Sequence, residues 1–159
     1  MVLSIGEILV DIFVDGEHKS VFPGGAPFNL ACNIADFEGE VAFLGAVGKD
    51  EYGDFLSKFA KEKLNNCYIE ELENRHTSEA IVTLRDGERS FRFNRDSGAD
   101  YALTLEELKR IDLSQVKIVH IGSLMLSFEQ GRTFFKEAIE YIKANSNALI
   151  RIEELALLR

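Results

Sequence analysis

The first apolar run, "VLSIGEILVDIFVD" (2–15), is rich in Val and Ile and is punctuated by Gly6, which predicts one or two strands. In "PGGAPFNLACNIADFEG" (23–39), Pro23, Gly24 and Gly25 break the chain, and Phe28, Leu30, Ala31, Ile34, Ala35 and Phe37 then recur at helical spacing. That spacing predicts a helix from about Pro27 to Glu38, with Pro27 in the first turn and Gly39 as the carboxyl-terminal stop. "EVAFLGAVG" (40–48) reads as a strand running into a glycine-rich turn. Residues 50–64 place Tyr52, Phe55, Leu56 and Phe59 on one face and lysines on the other, an amphipathic helix. A short strand follows at 68–72. Over 79–93, two strand-like runs flank Asp86-Gly87, the dipeptide of a type I′ hairpin. Thr104 and Glu107 have capping-box spacing and open a short helix to about Ile111; "VKIVHIG" (116–122) is a buried-type strand. Ser127 and Gln130 repeat that spacing before a long helix carrying Phe134, Phe135, Ala138, Ile139 and Ile142, and "ALIRI" (148–152) is the last strand.

Strands separated by helices predict an α/β fold with a parallel sheet and right-handed crossovers. The hairpin interrupts that rhythm as an inserted β element. Ligands of such sheets sit at the carboxyl ends of the strands. Asp11, Gly24-Gly25, Gly45 to Gly48 and Gly122-Ser123 all follow apolar runs and are expected to share one rim.

Composition narrows the function classes. The 159 residues are 46% hydrophobic and 28% charged, an ordinary globular balance for one domain with a real core. The net charge of −9 argues against nucleic acid or an anionic membrane as partner, since either needs a basic patch. Cys32 and Cys67 form no CxxC, and with His18, His76 and His120 they make no metal-ligand spacing. The apolar amino terminus carries Glu7 and Asp11 and no basic region, so neither a signal peptide nor a bilayer span is expected, and the cytoplasm is the expected compartment.

The candidate chemistry is sparse, and each residue has two readings. Asp11 can accept hydrogen bonds from neighbouring hydroxyls of a polyol, or be a solvated loop carboxylate. Gly24-Gly25 can bring backbone N–H groups and a helix amino end close to a ligand, or form a plain turn. Asn29 can face the same site or make a local cap-type hydrogen bond. "GAVGKD" (45–50) fails as a phosphate loop, because its glycines are too close and Asp50 stands where Ser or Thr should be. It reads as a structural turn with Asp50 near the next helix start. Arg95 can grip a hydroxyl, carboxylate or phosphate, or form a surface salt bridge.

"GEILVDIF", "PGGAPFNLACNIADFEGEVAFLGAVGKDEYGDFL", "FRFNRDSGAD" and "VHIGSLMLS" resemble the ribokinase-like (pfkB) carbohydrate kinases, and among them the bacterial fructokinases, from about residue 2 to residue 150. The resemblance implies a Rossmann-like α/β/α sandwich with a small β lid, present as the N-terminal part of one domain over 1–159 with lid segments at about 12–22 and 79–97. It implies transfer of the γ-phosphoryl of ATP, with Mg²⁺, to a sugar hydroxyl. By position, Asp11 resembles the acid that holds sugar hydroxyls, Gly24, Gly25 and Asn29 the sugar-contacting turn, and Arg95 a lid-base residue that helps hold a fructose-like substrate.

The departures are as informative. Family members are much longer, and their second signature, D-T-x-G-A-G-D, which supplies the anion hole and the catalytic base, has no counterpart here. No catalytic, cofactor-binding or metal residue is therefore expected in this chain, and neither ATP nor Mg²⁺ is expected to be used by it alone. The ending "ALIRIEELALLR" also departs from the family's strand exit; a frameshift, an early stop or a cloning boundary would each produce it. The expectation is a fructokinase-like fragment inactive alone. The alternatives are a non-catalytic sugar-binding or self-associating module and a 2-keto-3-deoxygluconate kinase fragment. A homo-oligomer is expected, through the lid or an open sheet edge that "ALIRI" and Leu155, Leu157 and Leu158 would supply.

Overall fold

Leu3 and Ile5 point to one side of the first strand and Val2 and Ser4 to the other, and both sides are covered, so this short run is central rather than edge. In the computed structural model, which describes residues 1–85 and 88–153, it is strand β1 (Val2–Ile5). It lies in a five-stranded parallel sheet with β4 (Val41–Gly48), β5 (Asn66–Leu72), β8 (Ile118–Gly122) and β9 (Leu149–Glu153), in the order β5-β4-β1-β8-β9. A second, four-stranded sheet holds β2 (Leu9–Asp15), β3 (His18–Gly24), β6 (Glu79–Arg85) and β7 (Glu88–Asn94), in the order β3-β2-β6-β7. β2 and β6 run parallel at its centre, and β2–β3 and β6–β7 are antiparallel pairs.

The helices divide between the two faces of the parallel sheet. α1 (Ala26–Asp36) and α2 (Glu51–Lys63) bury Phe28, Ala31, Leu56 and Ala60 against Phe43 and Val47 of β4 and against Ile8, Val10 and Ile12. α3 (Leu105–Lys109) and α4 (Glu129–Asn145) cover the other face with Leu108, Phe134, Ala138 and Ile142. Crossovers from β1 toward β5 therefore carry helices on one face and those toward β9 on the other, as right-handed connections require. Among the described residues no helix is long and apolar enough to cross a membrane.

Local signals hold in some places and fail in others. Thr104 and Glu107 form the expected capping box of α3. Ser127 and Gln130 form none: Ser127 bonds the Leu124 carbonyl, Gln130 takes Arg75 and the Ala102 carbonyl, and α4 opens after Phe128 without a side-chain cap. The glycines of "GAVG" lie within β4 rather than in a turn. The first inserted segment is two strands, β2 and β3, reaching from Leu9 to Gly24 and joined through Gly16 in the left-handed region. The Asp86-Gly87 turn and the leucines Leu155, Leu157 and Leu158 lie outside the described residues.

The end of α1 gives a stability prediction. The left-handed position is taken by Glu38 (φ 58°), and Gly39 is needed for another reason, since a Cβ there would lie 2.6 Å from Ile34 Cγ2. A non-glycine residue pays for that backbone region. Glu38→Gly should stabilise the fold by about 0.5–1 kcal/mol, and Gly39→Ala should destabilise it. Urea midpoints of the two variants check this.

Candidate functional site

β1 ends at Gly6, whose φ of 151° turns the chain from the parallel sheet into the second sheet. Gly6 and β8's last residue, Gly122, both lack a Cβ because the Pro27 ring lies against them, at 2.6 and 2.4 Å from where it would be. The carboxyl ends of β1 and β8 thus meet the amino end of α1. The helices change faces between these two strands, so the crevice is a topological switch point.

Glu7 lies in this crevice, 2% exposed. Its Oε1 accepts the Ala26 N–H at 3.3 Å, filling an orphan donor of α1, while Oε2 is buried without a hydrogen-bond partner among the described residues. Burial pushes its carboxyl up to about 7, with Asp100 and Glu153 adding repulsion, against the lowering pull of backbone donors including Ala26. In the sequence Glu7 stands out only as a charge near the terminus. The available signal was an acid set inside an apolar run directly after a glycine.

The glycine pair is used from within. A Cβ on Gly24 would meet the Asp11 carboxylate at 2.3 Å, and one on Gly25, whose φ is 108°, would meet the Glu7 carbonyl oxygen at 2.4 Å. Asp11 is thereby seated over the turn that opens α1. It lies inside β2 rather than past a strand end, and it is half-buried. Among the described residues its carboxylate accepts no hydrogen bond, and desolvation raises its pKa. Asn29 is exposed in the first turns of α1, where its backbone N–H bonds Gly25; α1 has no side-chain cap, so Asn29 does not make the local capping bond.

Register sets what surrounds Asp11. Phe22, Asp11, Ala80 and Phe93 are opposite one another across β3, β2, β6 and β7, and Ser20, Phe13, Val82 and Phe91 form the next row of the same face. The opposite face, through Val10 and Ile12, is buried in the α1–α2 core. The Asp11 face leaves Phe13, Phe22, Phe91 and Phe93 exposed. At its inner end Leu9 and Ala80 pack on Leu124, just after β8, so this aromatic face adjoins the crevice.

Arg95 is not at the surface. It is 7% exposed and forms a buried pair with Asp100, itself 0% exposed, with Nε and Nη2 at 3.0 and 2.5 Å from Oδ2. Nη2 also donates to the Leu124 carbonyl and Nη1 to Ser127. Tyr101 and Phe128 stack at 3.9 Å beside the guanidinium, and Ser78 bonds the other Asp100 oxygen. This replaces the surface salt bridge considered for Arg95. The arrangement ties the end of β7 to the loop after β8; Arg95 and Asp100 are five residues apart, but the Ser78, Leu124, Ser127 and Phe128 contacts that enclose the pair come from distant segments and carry no local signal.

Among the described residues no group of three or more His, Cys, Asp or Glu could hold a metal ion. Gly45 and Gly48 make room for the Phe43 ring and for the backbone at Arg75–Thr77. Asp50 caps α2 through the Gly53 N–H at 2.8 Å and accepts from Thr77 N and Oγ1, each at 2.7 Å. Burial alone would raise its pKa, but these donors lower it overall.

Known proteins share this fold. Probable fructokinase-5 of Arabidopsis thaliana is 37% identical over 156 residues, which are 90% of this chain and 47% of that protein. The fructokinase of Xylella fastidiosa with bound ATP superposes with a TM-score of 0.83 at 30% identity, over 95% of this chain and 47% of that one. Fructokinase of Vibrio cholerae O395, in its fructose, ADP and calcium ion bound form, superposes with a TM-score of 0.82 at 30% identity, over 95% and 49%. The chain spans about half the length of the relatives it matches. Residues 1–153 match the description "pfkB family carbohydrate kinase", and with that match spanning nearly the whole chain and the fold superposing on solved fructokinases, the chain belongs to the pfkB family of carbohydrate kinases.

Proposed function

We propose that this chain is the sugar-holding half of a fructokinase-like kinase, binding a fructose-like polyol at the turn that opens α1 and unable to phosphorylate it alone. The observation that carries the reading is the Asp11 carboxylate: half-buried, accepting no hydrogen bond among the described residues, and seated on Gly24 beside an aromatic face. An ionised carboxylate in that position is satisfied by two hydroxyls of a polyol. Asn29 adds an exposed amide, and the second sheet acts as the lid, with Phe22 and Phe93 offering apolar walls to the sugar's C–H surface. Arg95 serves by position, holding the lid base through Asp100. The fructose-bound Vibrio relative favours this substrate class over a 2-keto-3-deoxygluconate-type acid. ATP is bound in the longer Xylella relative, and ADP with a calcium ion in the Vibrio one. Phosphoryl transfer depends on positioning and charge stabilisation, which we assign to the part of such enzymes that this chain does not span.

Asp11 is only half-buried and Asn29 is exposed, so each hydrogen bond to a sugar competes with water and contributes little net, and fructose should bind at about millimolar Kd. Calorimetry should show that heat lost in Asp11→Asn and reduced in Asn29→Ala, with no fructose-stimulated ATP hydrolysis. Tight binding that survives Asp11→Asn would overturn the site, and magnesium-dependent turnover would overturn the assignment as a half. A self-associating module is a second reading, favoured by the four exposed phenylalanines on the lid face, at 45–64% exposure. Light scattering with Phe91→Ser separates it.

A further inference from the structure

His76 stands where the two sheets are joined. Its segment, between β5 and β6, is seated on the rim of the parallel sheet: a Cβ on Gly48 would meet the backbone of Arg75, His76 and Thr77 at 2.5–2.6 Å, and the Thr77 N–H donates to Asp50 at 2.7 Å. On its other side lies a strap, residues 96–99, that leaves β7 and carries the chain from Arg95 to Asp100. His76 and the strap form one parallel bridge. The His76 N–H donates to the Ser97 carbonyl at 3.3 Å, and the Ala99 N–H donates to the His76 carbonyl at 2.9 Å. Ser97 has a φ of 58°, a region that disfavours any residue with a Cβ, so the strap is held in a conformation it would not adopt by itself.

The half-buried His76 ring faces a carbonyl oxygen at each nitrogen. Nδ1 lies 2.9 Å from the oxygen of Thr77, just ahead of β6, and Nε2 lies against the oxygen of Asp96 in the strap. Carbonyl oxygens only accept, so both contacts are hydrogen bonds only when both ring nitrogens carry protons. A neutral imidazole has one N–H, and its other nitrogen would point a lone pair at an oxygen. The charges around the ring are Asp50, at the start of α2, and Glu79 on β6, and both favour the imidazolium. Arg75 is turned to the Gly98 carbonyl and Tyr101, Arg95 is committed to Asp100, and the Asp96 side chain is exposed. Burial alone would lower the His76 pKa, but the two carbonyls and the two carboxylates outweigh it and raise it from 6.5.

We propose that the His76 ring is a proton-operated clasp on the 96–99 strap, holding the base of the second sheet to the rim of the parallel sheet when doubly protonated and releasing one of its two carbonyls when neutral. The ring titrates at 6.5 in the unfolded chain and higher in the fold, so the clasp is fully present below 6.5 and is lost as pH rises through the folded value. Because the strap carries Arg95 to Asp100, release loosens the anchorage of β7 beside the crevice. The clasp rests on these contacts and not on the sugar site, and loss of fructose binding in Asp11→Asn leaves it standing.

The test is nuclear magnetic resonance of the 159-residue chain. In the wild type, both His76 ring nitrogens should be protonated at pH 6, with a titration midpoint above 6.5. Amide protection at Gly98 and Ala99, corrected for the intrinsic effect of pH on exchange, should fall about fivefold or more between pH 6 and pH 8.5 relative to β4. His76→Ala should show low protection there at both pH values. Glu7, which titrates in the same range, acts on both proteins alike and cancels in the comparison. A His76 ring that is neutral at pH 6, a midpoint at or below 6.5, or the same pH dependence of protection in wild type and His76→Ala overturns the clasp. The ring titration needs no variant, so it decides the matter even if His76→Ala does not fold.

Discussion

Glu7→Gln is expected to make this protein more stable at pH 8 by about 3 kcal/mol while changing it little near pH 4.5. Glu7 titrates at 4.5 in the unfolded chain and, because it is buried, at about 7 in the fold. The folded state therefore holds a proton that the unfolded state releases earlier. Below pH 4.5 the carboxyl is neutral in both states and carries no penalty. As pH rises from 4.5 to 7 the unfolded state is favoured progressively, and above 7 the full cost is present. A glutamine keeps the oxygen that accepts the Ala26 N–H and cannot ionise. Urea unfolding at pH 5 and pH 8 should show the wild type losing about 2–3 kcal/mol more than the variant across that interval. Parallel pH profiles for the two proteins would show that Glu7 is ionised and satisfied in the fold.

Arg95→Ala should cost about 3–5 kcal/mol, because it leaves Asp100 buried without its counter-ion. Ser78 still donates to Asp100, but one hydroxyl does not replace a guanidinium that reaches Asp100, the Leu124 carbonyl and Ser127 together. Arg95→Lys should recover only part, since an ammonium lacks the planar fork and the stack beside Tyr101 and Phe128. Replacing both partners, as Arg95→Met with Asp100→Leu, should be much less harmful than Arg95→Ala alone. A residue that only gripped substrate would leave the urea midpoint unmoved, so an unchanged midpoint in Arg95→Ala would return Arg95 to the ligand.

The parts of this fold legible from sequence are those whose cause is local. α2 announces itself through Tyr52, Leu56 and Phe59 at helical spacing and through Asp50, which caps it. α3 does so through Thr104 and Glu107. The Ser127–Gln130 spacing misled because both side chains have distant partners, in Arg95 and Arg75, that outcompete the cap. Gly39 misled in the same way: a glycine after a helix suggests a left-handed stop, but here the requirement is space for Ile34.

The site divides along the same line. The sequence by itself determined the family, the alternation of strands and helices, and the turn at Gly24-Gly25, because those depend on residue type and spacing within a few positions. Only the tertiary structure decided that Asp11 lies over Gly24, that Arg95 is committed to Asp100, and that Glu7 is buried at the crossing of β1, β8 and α1. The physical reason is desolvation: whether a charged group meets solvent, a ligand or a counter-ion depends on which remote segments exclude water around it. That exclusion is set by sheet order and register, which bring Leu9 and Ala80 against Leu124 and place Asp11 in one row with Phe22 and Phe93.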